Sequence, residues 1–461
     1  MARHFRSTVA ALALFTAPAF AETVFTPSAD GFAGNVRASA AQQGAAISAG
    51  STAVIAGQGL PPGQTITLQR GTTVLNADPI TVDAEGKFSV EVSVDEDAAT
   101  GLQPVVVIAE NPAAATVVDL KVSPVIPVQG EDRFEIASQK VTRGLYQVAY
   151  SEASDALFVT AAVGRPPVKE SVLSKVDPDT LEVLASITPE AAPARADGSD
   201  GGLLAVYGVA VDDANGTVWV TNTRQDTVAV YKQEDLSLVK QFEPGAADHS
   251  RDVVIDEANG RAYVTAAFTG NIEVFDAKTL EKLDPIVIES AKRGEDFGVM
   301  SLDLDTEHNK LVTVSMSSNE GALIDLATNE VKVFDLPGAR SASGVAFDAA
   351  DNLFFVASQQ SDNLLIVNAE TGETIHDVEV GAGALNVTFD PVNRLAYVAN
   401  RGAGTITVVD PEGTIVANLD GGTMPNQLRA DGKGNVFVVN KSRGEDDPDG
   451  DRVWRITPAQ Q

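Results

Sequence analysis

The sequence predicts an all-β protein, a seven-bladed β-propeller preceded by a small β-sandwich. Three observations lead to this fold class. A strand-like run that ends in aspartate recurs at intervals of about forty to sixty residues, which is the period of propeller blades. Further strand-like runs follow it within each copy. The stretch ahead of these copies contains short strand-like runs separated by turn residues, which is typical of a sandwich.

The N-terminus has the features of a secretory signal over residues 1–21. Arg3, His4 and Arg6 precede a short apolar run at 7–15, and Ala19-Phe20-Ala21 fits a small-x-small cleavage site. The run is too short to span a bilayer, and no later stretch approaches the roughly 20 apolar residues that a membrane helix needs. The sequence has no cysteine that a lipid could modify. We therefore expect a periplasmic protein without a membrane span, with an extracellular location as the alternative.

Two regions separate the signal from the repeats. Residues 22–50 are rich in Ala, Ser and Gly, and we interpret them as a mobile linker because small polar residues bury little surface. Residues 51–126 are predicted to form the sandwich. Its strand-like runs are 52–56, 64–69, 87–92, 103–108 and 116–122. The segments 60–63 and 83–86 between them are rich in Pro, Gly and Asp, which favour turns.

Residues 130–461 are predicted to form the propeller. The aspartate-terminated strand recurs at 208–212, 252–256, 301–305, 344–348, 386–390 and 427–431, with a degenerate copy at 146–151. The last copy is one strand short, ending at 452–457, and the run 133–137 is a spare strand ahead of the first. Pairing these two runs would close the ring and leave no open sheet edge there.

The recurring aspartates are predicted to be structural, because each lies where a strand turns and can accept bonds from turn amides. They are Asp212, Asp256, Asp305, Asp348, Asp390 and Asp431.

Two copies carry a family resemblance. The run 394–400, Arg-Leu-Ala-Tyr-Val-Ala-Asn, followed by 404–410, resembles the YVTN propeller repeat, and so does Thr-Val-Trp-Val-Thr-Asn at 217–222. The segments 59–68 and 85–88 resemble bacterial Ig-like modules. The order of signal, module and repeats is similar to that of YncE-like secreted propellers. This resemblance implies the fold, and it implies roles seen in the family, namely single-stranded DNA binding and iron-responsive outer-membrane uptake. It supplies no residue motif for either role.

Composition excludes several classes of function. The chain has 33 basic and 64 acidic residues, a net charge of −31, so its long-range field repels nucleic acids and anionic lipids. Without cysteine there is no disulfide scaffold, thiolate metal site or cysteine nucleophile. Four histidines are a thin supply for a haem or quinone propeller. We therefore predict no cofactor.

The candidate site is the mouth of the central channel. Two loop sets converge there: those that lead into each first strand and those that join second to third strands. The residues that we single out for ligand binding are Arg143, Tyr146, Tyr207, His249, Arg251, Arg340, Asn386 and Asn426. The second-to-third loops add Asn222, Arg224, Asn319, Gln359, Gln360, Asn400, Arg401, Asn440, Lys441 and Arg443. Arginine and amide side chains favour a small anionic ligand, a peptide or an envelope protein as the partner.

This pattern favours a non-catalytic binding or scaffolding protein, expected to be a monomer. One alternative is a hydrolase of the lactonase or metal-dependent esterase type, with His249 as the best-placed general base. The acidic stretch 445–451 is a weak calcium candidate through Asp447, Asp449 and Asp451, although turn chemistry alone explains it. A further alternative is single-stranded DNA binding, in which Tyr146, Tyr207 and Phe297 would stack on bases.

Overall fold

The computed structural model describes residues 28–459, and the predicted signal segment 1–21 lies outside them. Within these residues the regular structure consists of β-strands and two short 3-10 helices, Glu131–Arg133 and Thr223–Gln225. The all-β prediction is therefore confirmed. No helix in this range is long and apolar enough to cross a membrane. The contacts divide the range into two units, 28–37 with Ile55–Val90 and Pro104–Val118, and Ala38–Val54 with Glu91–Gln103 and 119–459.

Eight strands precede the repeats. They are β1 (Asn35–Ala40), β2 (Thr52–Gln58), β3 (Thr65–Arg70), β4 (Thr73–Val74), β5 (Ile80–Thr81), β6 (Lys87–Ser93), β7 (Gly101–Glu110) and β8 (Ala114–Val122). One sheet has the order β1-β2-β6 and another the order β4-β3-β7-β8, with β5 beside β3. Strand β1 was not expected, because 22–50 was predicted to be a mobile linker. Its residues alternate between exposed and partly buried, a period-two pattern that small side chains conceal in the sequence.

Seven four-stranded antiparallel sheets follow within the described residues. Strand β9 (Phe134–Lys140) comes first in sequence. Sheet I contains β10 (Leu145–Ser151), β11 (Ala156–Val163), β12 (Glu170–Val176) and β13 (Val183–Ile187). Sheet II contains β14 (Val206–Asp212), β15 (Thr217–Asn222), β16 (Thr227–Lys232) and β17 (Leu238–Gln241). Sheet III contains β18 (Ser250–Asp256), β19 (Arg261–Ala266), β20 (Asn271–Asp276) and β21 (Ile286–Val287).

The remaining sheets repeat this order. Sheet IV contains β22 (Val299–Asp305), β23 (Lys310–Ser315), β24 (Glu320–Asp325) and β25 (Glu330–Asp335). Sheet V contains β26 (Ala342–Asp348), β27 (Leu353–Ser358), β28 (Asn363–Asn368) and β29 (Thr374–Glu379). Sheet VI contains β30 (Ala384–Asp390), β31 (Leu395–Asn400), β32 (Thr405–Val409) and β33 (Ile415–Asp420). Sheet VII contains β34 (Met424–Ala430), β35 (Val436–Lys441), β36 (Arg452–Pro458) and β9.

The first strands of the seven sheets form the inner ring of a propeller. Each contacts the first strand of the next sheet, and β34 contacts β10, so the ring is closed. The core lies between neighbouring sheets. Trp219, Phe242 and Phe275, for example, pack against one another between sheets II and III. Strands that are apolar on both faces are stable here because each sheet is covered on both sides.

The predicted closure of the ring is confirmed. Strand β9 pairs antiparallel with β36, with Ile136 opposite Ile456 and Ser138 opposite Trp454. Its Phe134 is buried against Tyr397 of sheet VI, at a ring separation of 6.3 Å. Strand β9, which precedes sheet I, and strand β36 thus belong to one sheet. Their pairing satisfies backbone groups that each strand would otherwise leave unpaired along that edge.

The recurring aspartates cap the turns that follow the first strands, as predicted. The backbone N–H of Asn215 donates to Asp212 Oδ1 at 3.0 Å, and that of Asn259 donates to Asp256 Oδ1 at 3.0 Å. Asp348 also forms an ion pair with Arg394, at 2.5 Å from its Nη2. These carboxylates are therefore committed to the scaffold.

Candidate functional site

A cavity of about 320 Å³ opens at the end of the ring where the first strands begin. Its lining comes from the two loop sets that the sequence indicated. Six of the eight singled-out residues lie on its wall, namely Tyr146, Tyr207, His249, Arg251, Asn386 and Asn426. Thr223, Arg224, Gln359 and Arg401 from the second-to-third loops complete its polar part, with Gln147 and Gln427 from the first strands.

Arg143 and Arg340 do not line this cavity. Arg143 Nη1 lies 2.7 Å from a carboxylate oxygen of Glu445 and 3.2 Å from one of Glu170, so its charge is neutralised within the protein. Arg340 is exposed on its loop. These two arginines therefore do not belong to the wall of this cavity, and a role for them in binding stays a prediction.

Two tyrosines form one wall. The rings of Tyr146 and Tyr207 lie edge to face with 3.8 Å between centroids. Arg224 Nε donates a hydrogen bond to Tyr207 Oη at 3.2 Å. Lys441 Nζ lies 3.2 Å from the centroid of the Tyr146 ring, a close cation–π contact. Burial raises the pKa of Tyr146, so this phenol stays neutral. Phe297 is buried in the core between sheets III and IV, and Tyr207 is buried as well, whereas Tyr146 is partly exposed.

The cavity wall carries positively charged arginine side chains that form no ion pairs within the described residues. Within the described residues, the guanidinium groups of Arg251 and Arg401 form no hydrogen bond and no ion pair. Burial lowers the pKa of both groups, and the charge of Arg401 lowers that of Arg251 further. Asp252 opposes this effect on Arg251. Its carboxylate, however, already accepts the backbone N–H of Val253 at 3.1 Å and that of Leu302 at 2.9 Å.

The arginine charges at the cavity also lower the pKa values of Lys441 and His249. Burial and the neighbouring Arg401 lower the pKa of Lys441 to about 7; Asp451 opposes this shift, and Arg224 adds to it to a smaller extent. Burial, Arg224 and Arg251 together lower the pKa of His249, and Asp226 opposes them. Arg224, Arg251, Arg401 and Lys441, called the cation cluster below, therefore act on one another through a partly dry space.

We expect Lys441 to titrate with a midpoint near pH 7 in an NMR titration of its Cε resonance. Lys433, whose pKa Tyr150 and Glu152 raise to about 12, should stay charged in the same experiment. Because the folded-state pKa of Lys441 lies below its unfolded value of 10.5, the free energy of unfolding should rise between pH 7 and 10.5. Arg401→Gln should move the midpoint upward. A midpoint of Lys441 near 10 in the parent protein would contradict the cluster.

The amide side chains below the cluster join neighbouring sheets. Gln147 Oε1 accepts the N–H of Val209 at 3.1 Å, and Gln427 Oε1 accepts that of Val148 at 3.0 Å. Asn426 Nδ2 donates to the Tyr146 carbonyl at 2.7 Å. Such bonds fix the spacing of the first strands around the channel. Asn386 and Asn426, although they line the cavity, therefore also serve the scaffold.

The asparagines of the second-to-third loops bond within their own sheets. Asn400 Nδ2 donates to Thr407 Oγ1 at 2.7 Å, and Asn440 Nδ2 donates to the Asp449 carbonyl at 2.6 Å. Asn222 Nδ2 donates to Gln241 Oε1 at 3.3 Å. All three are buried, so they hold loops in place and do not face the cavity.

The acidic stretch 445–451 does not gather its carboxylates. Asp447 accepts the backbone N–H of Arg443 and the hydroxyl of Thr423, and Asp451 Oδ1 accepts the backbone N–H of Gly144 at 2.8 Å. In the part of the chain described, no group of three His, Cys, Asp or Glu side chains is arranged to hold a metal ion. Backbone amides and the Thr423 hydroxyl thus already occupy carboxylate oxygens of Asp447 and Asp451, which favours the interpretation of 445–451 as a turn.

The opposite end of the channel carries a second cavity of about 270 Å³ that the sequence did not indicate. Asp303 and Arg429 face each other there at 3.8 Å, and Asp303 Oδ2 also accepts the N–H of Phe347 at 2.9 Å. Burial raises the pKa of Asp303. Here each charge has an opposite charge beside it, which the cation cluster lacks.

Comparison with known proteins finds relatives that share one name. No protein-family model matches the sequence. The YncE protein of Salmonella typhi is 25% identical over 322 residues, which cover 66% of this chain and 85% of that protein. YncE of Escherichia coli K12 is 26% identical over 257 residues, 53% of this chain and 67% of that protein. The chain is YncE-like. Both relatives are described as uncharacterized, so this likeness brings no activity with it.

Solved structures similar to this YncE-like chain support the propeller fold. Virginiamycin B lyase of Staphylococcus aureus has a TM-score of 0.52 at 12% identity, over 70% of this chain and 99% of that one. Hydrazine synthase of Kuenenia stuttgartiensis has a TM-score of 0.52 at 16% identity, over 64% and 92%. At these identities the likeness concerns the fold alone. The Ig-like assignment of residues 51–126 stays a prediction, as do the domain boundaries.

Proposed function

We propose that the protein is a non-catalytic binding propeller of the periplasm that holds a small anion in the mouth cavity. The observation that carries this proposal is the cation cluster. Arg251 and Arg401 line the cavity without a hydrogen bond or ion pair in the described residues, on a chain of net charge −31. Both side chains are partly withdrawn from water, and a charge in such a place without a hydrogen-bonding partner is unfavourable.

A bound carboxylate or phosphate would supply the missing partner. Guanidinium groups bind such oxyanions through charge-assisted hydrogen bonds, which are stronger than those between neutral groups. Binding would also favour the charged form of Lys441, so it should be accompanied by proton uptake near pH 7. The periplasmic location rests on the sequence of residues 1–21.

The alternatives receive less support from the same residues. A metal-dependent hydrolase needs converging carboxylates or histidines, whereas the cavity wall presents guanidinium groups and amides. His249 donates its backbone N–H to Asp226 and packs its ring 5.2 Å from that of Phe268, but no hydrogen bond orients its imidazole as a base would require. Single-stranded DNA binding receives less support because Tyr146 and Tyr207 pack against each other, Phe297 is buried, and the net charge of −31 opposes the approach of phosphates.

We expect Arg401→Gln to weaken the binding of inorganic phosphate and of acetate at least tenfold, about 1.4 kcal/mol. Isothermal titration calorimetry at low salt measures this. The matched control is Arg340→Gln, which removes the same charge from an exposed loop outside the cavity and should leave the affinity unchanged.

A second measurement separates binding from folding. Because Arg401 has no partner in the free protein, Arg401→Gln should not lower the free energy of unfolding in the absence of anion. The parent, in contrast, should gain stability as phosphate is added, by mass action. Equal affinities of Arg401→Gln and the parent, or no binding of either anion to the parent, would contradict the proposal.

A further inference from the structure

One side of the mouth cavity is apolar. Ala267 and Phe268 come from the turn between β19 and β20, Met300 lies on β22, and Met316 directly follows β23. Leu385 of β30 completes this group. Sheet IV contributes only its two methionines to the lining, with no charged or hydrogen-bonding side chain. The cavity therefore has a cationic side and a sulfur-rich apolar side.

Phe268 is the most unusual member of this apolar side. Its side chain is 59% exposed, although a phenylalanine ring gains free energy when it leaves water. Its backbone has φ 67°, a left-handed conformation that is uncommon for a bulky residue. Both features cost free energy in the unliganded protein. Together they hold an aromatic ring at the rim, 5.2 Å from the ring of His249.

The cationic side and the apolar side of the cavity are each suited to a different part of one ligand molecule. A bare oxyanion such as phosphate would satisfy Arg251 and Arg401 but would leave water against Met316 and Phe268. Methionine side chains are flexible and polarizable, so they fit apolar groups of irregular shape. A volume of about 320 Å³ leaves room beside the anionic group.

We infer that the ligand is an amphipathic anion, with an oxyanion group held by the cation cluster and an apolar arm packed on Met316 and Phe268. This inference rests on the proposed function and narrows it to one ligand class. It differs from binding of a polar peptide or of free phosphate, because the apolar side would then contribute nothing to affinity.

Calorimetry with acetate, butanoate and hexanoate at one pH tests the inference. Burying one methylene group is worth about 0.8 kcal/mol, so we expect the affinity of the parent to rise roughly fourfold for each added methylene that reaches the apolar side. Met316→Gln and Phe268→Gln should reduce this rise, which is measured for each variant relative to its own affinity for acetate. Phe268 is exposed, so its substitution does not endanger the fold.

The matched control is Ile375→Gln. Ile375 is also an apolar side chain, 46% exposed on the outer strand β29 and outside the cavity, and its variant should keep the full dependence on chain length. The inference is overturned if hexanoate binds the parent no more tightly than acetate, or if both cavity variants keep the rise. In either case an Arg401-dependent affinity for acetate would leave the proposed function standing. If Arg401→Gln binds every carboxylate like the parent, the proposed function fails, and the inference fails with it.

Discussion

Ala137→Pro is expected to lower the free energy of unfolding by about 3 kcal/mol, because it breaks the sheet that closes the ring. The backbone N–H of Val141 donates to Asp451 O at 3.0 Å, and that of Ala459 donates to Arg133 O at 2.8 Å. Hydrogen-bonded pairs alternate along an antiparallel ladder, so Ala137 and Arg455 form such a pair between these two. Proline at 137 removes the N–H that this pair needs.

The neighbouring position provides the control. Ser138 lies opposite Trp454 in a pair without ladder hydrogen bonds, so its N–H points away from β36. Ser138→Pro introduces the same ring into the same edge strand but spares the ladder, and it should cost much less. Urea unfolding followed by tryptophan fluorescence suits this comparison, because Trp454 lies on β36 itself. Equal destabilisation by the two prolines would contradict the importance of this closure.

Gly344→Ala is expected to destabilise the protein by about 3 kcal/mol, at the upper end of the range for overpacked cores. A Cβ atom on Gly344 would lie 2.6 Å from Asn386 Cα and 2.9 Å from Val387 N. Both atoms belong to the backbone of β30, which cannot rotate away as a side chain could. The first strands of sheets V and VI would therefore have to separate.

Gly444→Ala is the matched control for this substitution. A Cβ atom at Gly444 meets no heavy atom within 4 Å, so this variant should unfold like the parent. Because Asn386 lines the mouth cavity, Gly344→Ala should also weaken anion binding, whereas Gly444→Ala should not. A Gly344→Ala protein as stable as the parent would mean that the inner ring tolerates wider spacing than the contacts indicate.

The parts of the fold that depend on local sequence patterns could be predicted from the sequence. Apolar runs ending in aspartate, turn residues and the spare strand at 133–137 led to the sheets, the capped turns and the closure. Strand β1 was missed because its small side chains bury little area, which left its alternation weak. Strand β1 forms by pairing with β2, and the residues of β1 alone do not indicate this partner.

The candidate site was predicted in outline but not in its charges. Loop positions placed Arg251, Tyr146 and Tyr207 at the mouth, where the structure has them. Whether an arginine is neutralised depends on residues far away in sequence. Glu445 pairs with Arg143 across 302 positions, whereas no carboxylate reaches Arg401. The methionines of sheet IV also have no sequence signal, since a methionine in a strand usually belongs to the core.

Because β9 pairs with β36, the propeller can close only after nearly all of its strands have been synthesised. Strand β9 is synthesised before sheet I, but its partner β36 is the last strand within the described residues. Until β36 has been made, β9 and the growing end both present unpaired backbone groups, which favour association between chains. A nonsense codon at position 452 would remove β36 and leave the other strands of the propeller encoded. We expect this truncated product to aggregate or to be degraded by proteases.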